Sequence, residues 1–106
     1  MSDIALLWST FADREEADRV AATVVEERLA ACTNILAPCT SIYHWDGEVQ
    51  RGEEVPALFK TTMQLATRLR DRIAELHSYD LPVIEAWPVS ASQAVWTWID
   101  GETLAS

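Results

Sequence analysis

Residues 26–47 read EERLAACTNILAPCTSIYHWDG, and within this stretch a charged helical pattern gives way, with no long loop, to a run of β-branched and aromatic residues. Upstream, Ala17, Val20, Ala21, Val24 and Leu29 make roughly one apolar stripe. Arg14, Glu15, Asp18, Arg19, Glu26, Glu27 and Arg28 fill the rest of the surface, so a helix is expected over Arg14–Ala31 with one face on a sheet. Asp13 followed by Glu16 is a capping-box variant that starts it. Downstream, Thr33–Trp45 reads as a strand interrupted at Pro38, where the missing amide implies a bend or an edge. Asp46-Gly47 then signals a type I′ hairpin, because both central residues must take positive φ. The returning strand begins near Glu48, Gly52 suggests a bulge, and Val55–Thr61 resumes the extended pattern.

Working outward, Ile4 to Trp8 lies in a run apolar on both sides, which predicts a central strand over about residues 3–10. Leu65, Leu69, Ile73 and Leu76 predict a second helix from Met63 to His77. Val83–Val89 reads as a further strand after Pro82. Ser90, Ser92 and Gln93 offer a helix start, Val95, Trp96 and Ile99 a buried stripe, and Gly101 a C-cap. The order β-α-β-β-α-β-α is that of an α+β, ferredoxin-like split βαβ sandwich with an extended central hairpin and an added C-terminal helix. Nothing in residues 1–106 argues for a second domain. Strands this long project past a small core, and closure by neighbouring subunits is the expected way to cover their edges.

With 17 acidic against 8 basic residues, the formal charge of −9 repels phosphate backbones and anionic lipid. Nucleic acid and membranes are therefore not expected partners; cations, small molecules and proteins are. The first residues carry an acid at position 3 and no basic region, and their apolar run is too short for a signal peptide or span, so a cytoplasmic location is expected. Cys32 and Cys39 fit neither a metal knuckle nor a disulfide framework and read as free thiols. No GxSxG, HExxH or Walker motif is present, so the chain is not expected to be an enzyme.

The combination of ERLAAC, SIYHW, EVPALFKTT (Glu54–Thr62), LHSYDLPVIEAWPV (Leu76–Val89) and AVWTWI resembles the CutA family of divalent-cation tolerance proteins, and the likeness covers nearly the whole chain. The resemblance implies a homotrimer engaged in metal-ion, chiefly copper, homeostasis, binding copper or another divalent cation weakly or conditionally, with no cofactor required. The family's architectural similarity to trimeric nitrogen-regulatory signal proteins supplies an alternative: an effector-sensing module that takes a small ligand in a subunit cleft.

Two sets of residues follow. The metal candidates are Cys32, where the resemblance places a cysteine, and His77. Cys32 is otherwise a small buried thiol, and His77 otherwise a cation at a helix C-terminus. The family's HPYE is His77-Ser78-Tyr79-Asp80 here. A cysteine and a second histidine of proposed copper sites are replaced by Ser9 and Leu76, while copper needs at least two converging strong ligands. The second set, Tyr43, Trp45, Lys60, Tyr79 and Glu85, matches family positions near strand ends. Lys60, the single lysine, either forms a purely structural pair with Glu85 or, as that pair and with aromatic walls from Trp45 and Tyr79, lines a pocket for a small anion or metabolite between subunits. Trp87, Trp96 and Trp98 read as core or interface mass.

Overall fold

The computed structural model describes residues 2–105. The elements run β1 (Ser2–Phe11), α1 (Arg14–Glu26), β2 (Cys32–Ile35), β3 (Cys39–Trp45), β4 (Glu48–Thr62), a 3-10 turn (Met63–Leu65), α2 (Ala66–Leu76), β5 (Ile84–Ala91) and α3 (Gln93–Glu102). The fold is α+β: one antiparallel sheet, ordered β2-β4-β1-β5 with β3 continuing beside β4, and three helices. No helix among the described residues is long and apolar enough to cross a membrane.

Alternation in β1 and β4 sets the layers. Ala5, Leu7 and Phe11 of β1 and Val55, Ala57 and Phe59 of β4 point to one face, where they form a single buried cluster with Val20 and Val24 of α1 and Leu69 and Ile73 of α2. Each large side chain enclosed this way contributes ~1.5–3 kcal/mol relative to exposure. The opposite face carries Leu6, Trp8, Leu58 and Trp87, all incompletely covered.

The first helix starts where the sequence indicates and stops sooner. Asp13 accepts the Glu16 amide at 2.8 Å and so caps the helix, while Glu16 Oε1 accepts the amide of Ala12, one residue ahead of the cap, at 3.1 Å. Its end is not Ala31 but Glu26, because Arg28 turns left-handed (φ 60°), with Leu29 N–H on the Val24 carbonyl and Arg28 N–H on that of Val25. This is a Schellman end with arginine where glycine is usual, which is why composition does not announce it. Leu29 is thereby folded under the sheet and buried.

The bulge is real but displaced. Pairing runs without interruption through Ser41↔Gly52. The extra residue is on the other strand, where Ile35 faces Ala57 but Cys39 faces Glu54, so Ala37 and Pro38 together oppose Val55. One extra residue flips side-chain parity. As a result Tyr43 and Trp45, rather than Ile42 and His44, share a face with Gln50 and Glu48. Asp46 (φ 53°) and Gly47 (φ 78°) make the tight turn as expected.

Pairing of β1 with β4 ends at Phe11↔Val55. Beyond it β3 and residues 48–54 of β4 form a two-stranded ribbon with no sheet neighbour among the described residues. It carries the exposed side chains of Ile42, Tyr43, Trp45 and Val49, and it accounts for extents of 45 × 24 × 22 Å. Gly101 is not the C-cap: α3 continues through it to Glu102, and Thr103 closes the helix by donating its hydroxyl to the Ile99 carbonyl at 2.9 Å.

Candidate functional site

Where β1 ends, residues 77–83 fold over the start of the ribbon. The imidazole of His77 lies nearly flat on Phe11, with ring centroids 4.6 Å apart and an 18° tilt, and Tyr79 lies 4.6 Å beyond it. His77 Nε2 is 2.9 Å from the Thr10 carbonyl and therefore carries the proton in that bond. Nδ1 accepts the Tyr79 amide at 3.2 Å. Both ring nitrogens are thus engaged by the backbone. Beneath them the carboxylate of Glu16 takes the Ser78 amide at 2.7 Å and stands 3.9 Å from His77 Nδ1. Burial raises the Glu16 pKa, but hydrogen bonds from Ser78 and Ala12 and the neighbouring His77 outweigh it and hold the group below the usual carboxylate range.

Tyr79 reaches from this platform to the ribbon and donates its phenol to Glu54 Oε2 at 2.9 Å. Burial and the adjacent carboxylate push its ionisation well above the ordinary tyrosine range, so the phenol remains a donor. Between loop and ribbon lies a cleft of about 610 Å³ lined by Thr10, Tyr43, His44, Trp45, Glu54, Ser78, Tyr79, Asp80, Leu81 and Val83.

Of the five residues that sequence reading grouped as a pocket, Tyr43, Trp45 and Tyr79 meet in this cleft. Lys60 and Glu85 lie elsewhere on the sheet. Lys60 stands between Cys32 and Leu6, and Glu85 opposite Trp8 in the next row. Strand β1 separates them by two strand spacings, about 10 Å of backbone, and no ion pair joins them among the described residues. The metal candidates are also apart. Cys32 is half-buried beside Lys60, while His77 bonds to Thr10, four residues along β1 from the Leu6 that flanks Lys60; that is about 13 Å along the strand. No cluster of three or more His, Cys, Asp and Glu suited to a metal occurs among the described residues. Sequence reading missed Glu54 and Asp80 in the cleft; an acid within the ribbon and another after a tyrosine carry no distinctive spacing.

A family model described as CutA1 divalent ion tolerance protein matches residues 5–102. The chain belongs to the CutA1 family. Among relatives, the divalent-cation tolerance protein CutA of Thermus thermophilus is 42% identical over 90 residues, covering 85% of each protein. The crystal structure of CutA1 from Pyrococcus horikoshii superposes with a TM-score of 0.90 at 34% identity, covering 95% of this chain and 99% of the other. That of CutA1 from Ehrlichia chaffeensis gives 0.91 at 32% identity, covering 99% of both. Agreement on this scale gives this CutA1 chain the family's fold over nearly all of its length.

Proposed function

We propose that the chain acts in divalent-cation tolerance as a homotrimer of ferredoxin-like subunits, contributing to copper or other metal-ion homeostasis through weak or conditional metal contacts rather than a resident cofactor. Family membership supports divalent-cation tolerance, and one structural observation supports the assembly: none of the five tryptophans is buried within the protomer, and Trp87 of β5 and Trp98 of α3 are 41% and 50% exposed. Residues of that size left half-bare on a sheet strand and on the last helix are what a subunit contact covers. Metal binding in this reading draws on Cys32, on His77 only once one of the backbone bonds to its ring opens, or on groups that meet only between subunits.

The test is light-scattering mass combined with metal competition. A mass of three chains, lowered by Trp87→Glu, together with copper uptake that a moderate chelator reverses, supports the reading. A monomer at micromolar concentration, or no copper uptake by chelator-treated protein, rejects it.

A second reading, ligand sensing in the manner of nitrogen-regulatory signal proteins, is favoured by the cleft itself, whose size and mixed aromatic and polar lining suit a small molecule.

A further inference from the structure

The cleft's lining selects a chemical class. Tyr43, Trp45 and Tyr79 supply three aromatic surfaces, Leu81 and Val83 an exposed apolar rim, and Glu54 and Asp80 two carboxylates. None of the chain's eight lysines and arginines is among the lining residues. Glu54 spends one oxygen on the Tyr79 phenol, and Asp80 has no hydrogen-bond or ion-pair partner among the described residues. We propose that this cleft binds a small organic cation: an amine or quaternary ammonium group carried on an apolar body.

The assignment follows from attraction on both counts. A cation over an aromatic face is drawn by the ring quadrupole, and partial desolvation strengthens the contact. The carboxylates add charge complementarity, and the overall charge of −9 raises the local concentration of cations. An anionic ligand meets the reverse field. The lone lysine that would have served an anion is six residues along β4 from Glu54, roughly 20 Å of extended strand away. A bare metal ion is poorly matched too, since no group of three or more His, Cys, Asp and Glu suited to a metal converges among the described residues. The proposal deepens the ligand-sensing reading and rests on it.

Benzyltrimethylammonium, benzyl alcohol and phenylacetate present one ring with a positive, neutral or negative head. Each is titrated by calorimetry into protein of verified oligomeric mass. The ammonium compound is expected to bind, with the other two weaker by about tenfold or more. Trp45→Ala and Glu54→Gln are expected to weaken it by similar factors, and Trp45→Phe to restore most of the loss while unchanged circular dichroism shows that the fold persists. Phenylacetate binding as tightly as the ammonium compound overturns the cation assignment and leaves ligand sensing standing. Ammonium binding indifferent to both substitutions overturns the location. No binding by any of the three overturns the proposal.

Discussion

Glu16 and Ser78, 62 positions apart, are joined by a 2.7 Å hydrogen bond from the Ser78 amide to the Glu16 carboxylate. The same carboxylate takes the Ala12 amide just ahead of α1, so one buried acid ties the entry to the first helix to the loop that walls the cleft. Its side chain is only 8% exposed, and the bonds it accepts favour its charged form.

Acid should therefore loosen this junction. The folded-state pKa of Glu16 is depressed, so its contribution is fully present above the unfolded value near 4.5 and is lost as pH falls through the folded value. Glu16→Gln is expected to cost ~1–3 kcal/mol at neutral pH and to flatten the acid limb of the stability profile. Urea unfolding at fixed protein concentration, from pH 7 to pH 3, measures both. An unchanged acid limb in the variant would remove Glu16 from this role.

Two glycines predict opposite signs for one substitution. Gly47 has φ 78° and open space where a Cβ would go, so Gly47→Ala meets no clash and carries only the left-handed backbone penalty, about 1 kcal/mol. Gly101 sits inside α3, also with open space, and Gly101→Ala should stabilise by ~0.5–1 kcal/mol through helix propensity. Denaturation midpoints moving the same way for both variants would contradict this account.

Much of this arrangement is legible in the chain. The Asp13 cap, the Asp46-Gly47 turn and the order of elements along the chain announce themselves by local chemistry, whereas Tyr43, Trp45 and Tyr79 are marked by the family resemblance. What escapes is non-local or atypical. Arg28 ends α1 in a conformation usually given to glycine, and nothing about an arginine signals it. The bulge sits at Ala37–Pro38 rather than Gly52 because only pairing register reveals which strand holds the extra residue. Lys60 and Glu85 look like neighbours in a list of strand-end residues, yet β1 threads between their strands, and no spacing along the sequence encodes that.

The Tyr79 phenol should fail to ionise in the ordinary range. With its pKa pushed upward by burial and by Glu54, the folded protein keeps this proton where an unfolded tyrosine, near 10, releases it. Stability is accordingly retained below that value and declines as pH rises above it. Subtracting the 295 nm titration of Tyr79→Phe from that of the parent protein should give a flat trace through pH 10 and 11. A full phenolate step centred near pH 10 would show that the bond to Glu54 does not persist in solution.

His77 tests whether a residue suspected of holding metal acts first through packing. Its ring stacks on Phe11, bonds to the Thr10 carbonyl and accepts the Tyr79 amide, so His77→Ala removes contacts worth ~2–4 kcal/mol together. Copper should not change that figure, because both ring nitrogens are already engaged. Cys32→Ser alters a half-buried site on a distant row of the sheet and should cost ~1 kcal/mol or less. Residues so separated and sharing no partner should combine additively, within about 0.5 kcal/mol. The measurement is a double-mutant cycle by chemical unfolding, run on chelator-treated protein and again with copper. Additivity in both conditions makes His77 a structural residue whose loss reduces metal tolerance through folding. A coupling of more than ~1 kcal/mol that appears only with copper would instead place the metal between Cys32 and His77 of different subunits, since the geometry of one protomer keeps the two apart.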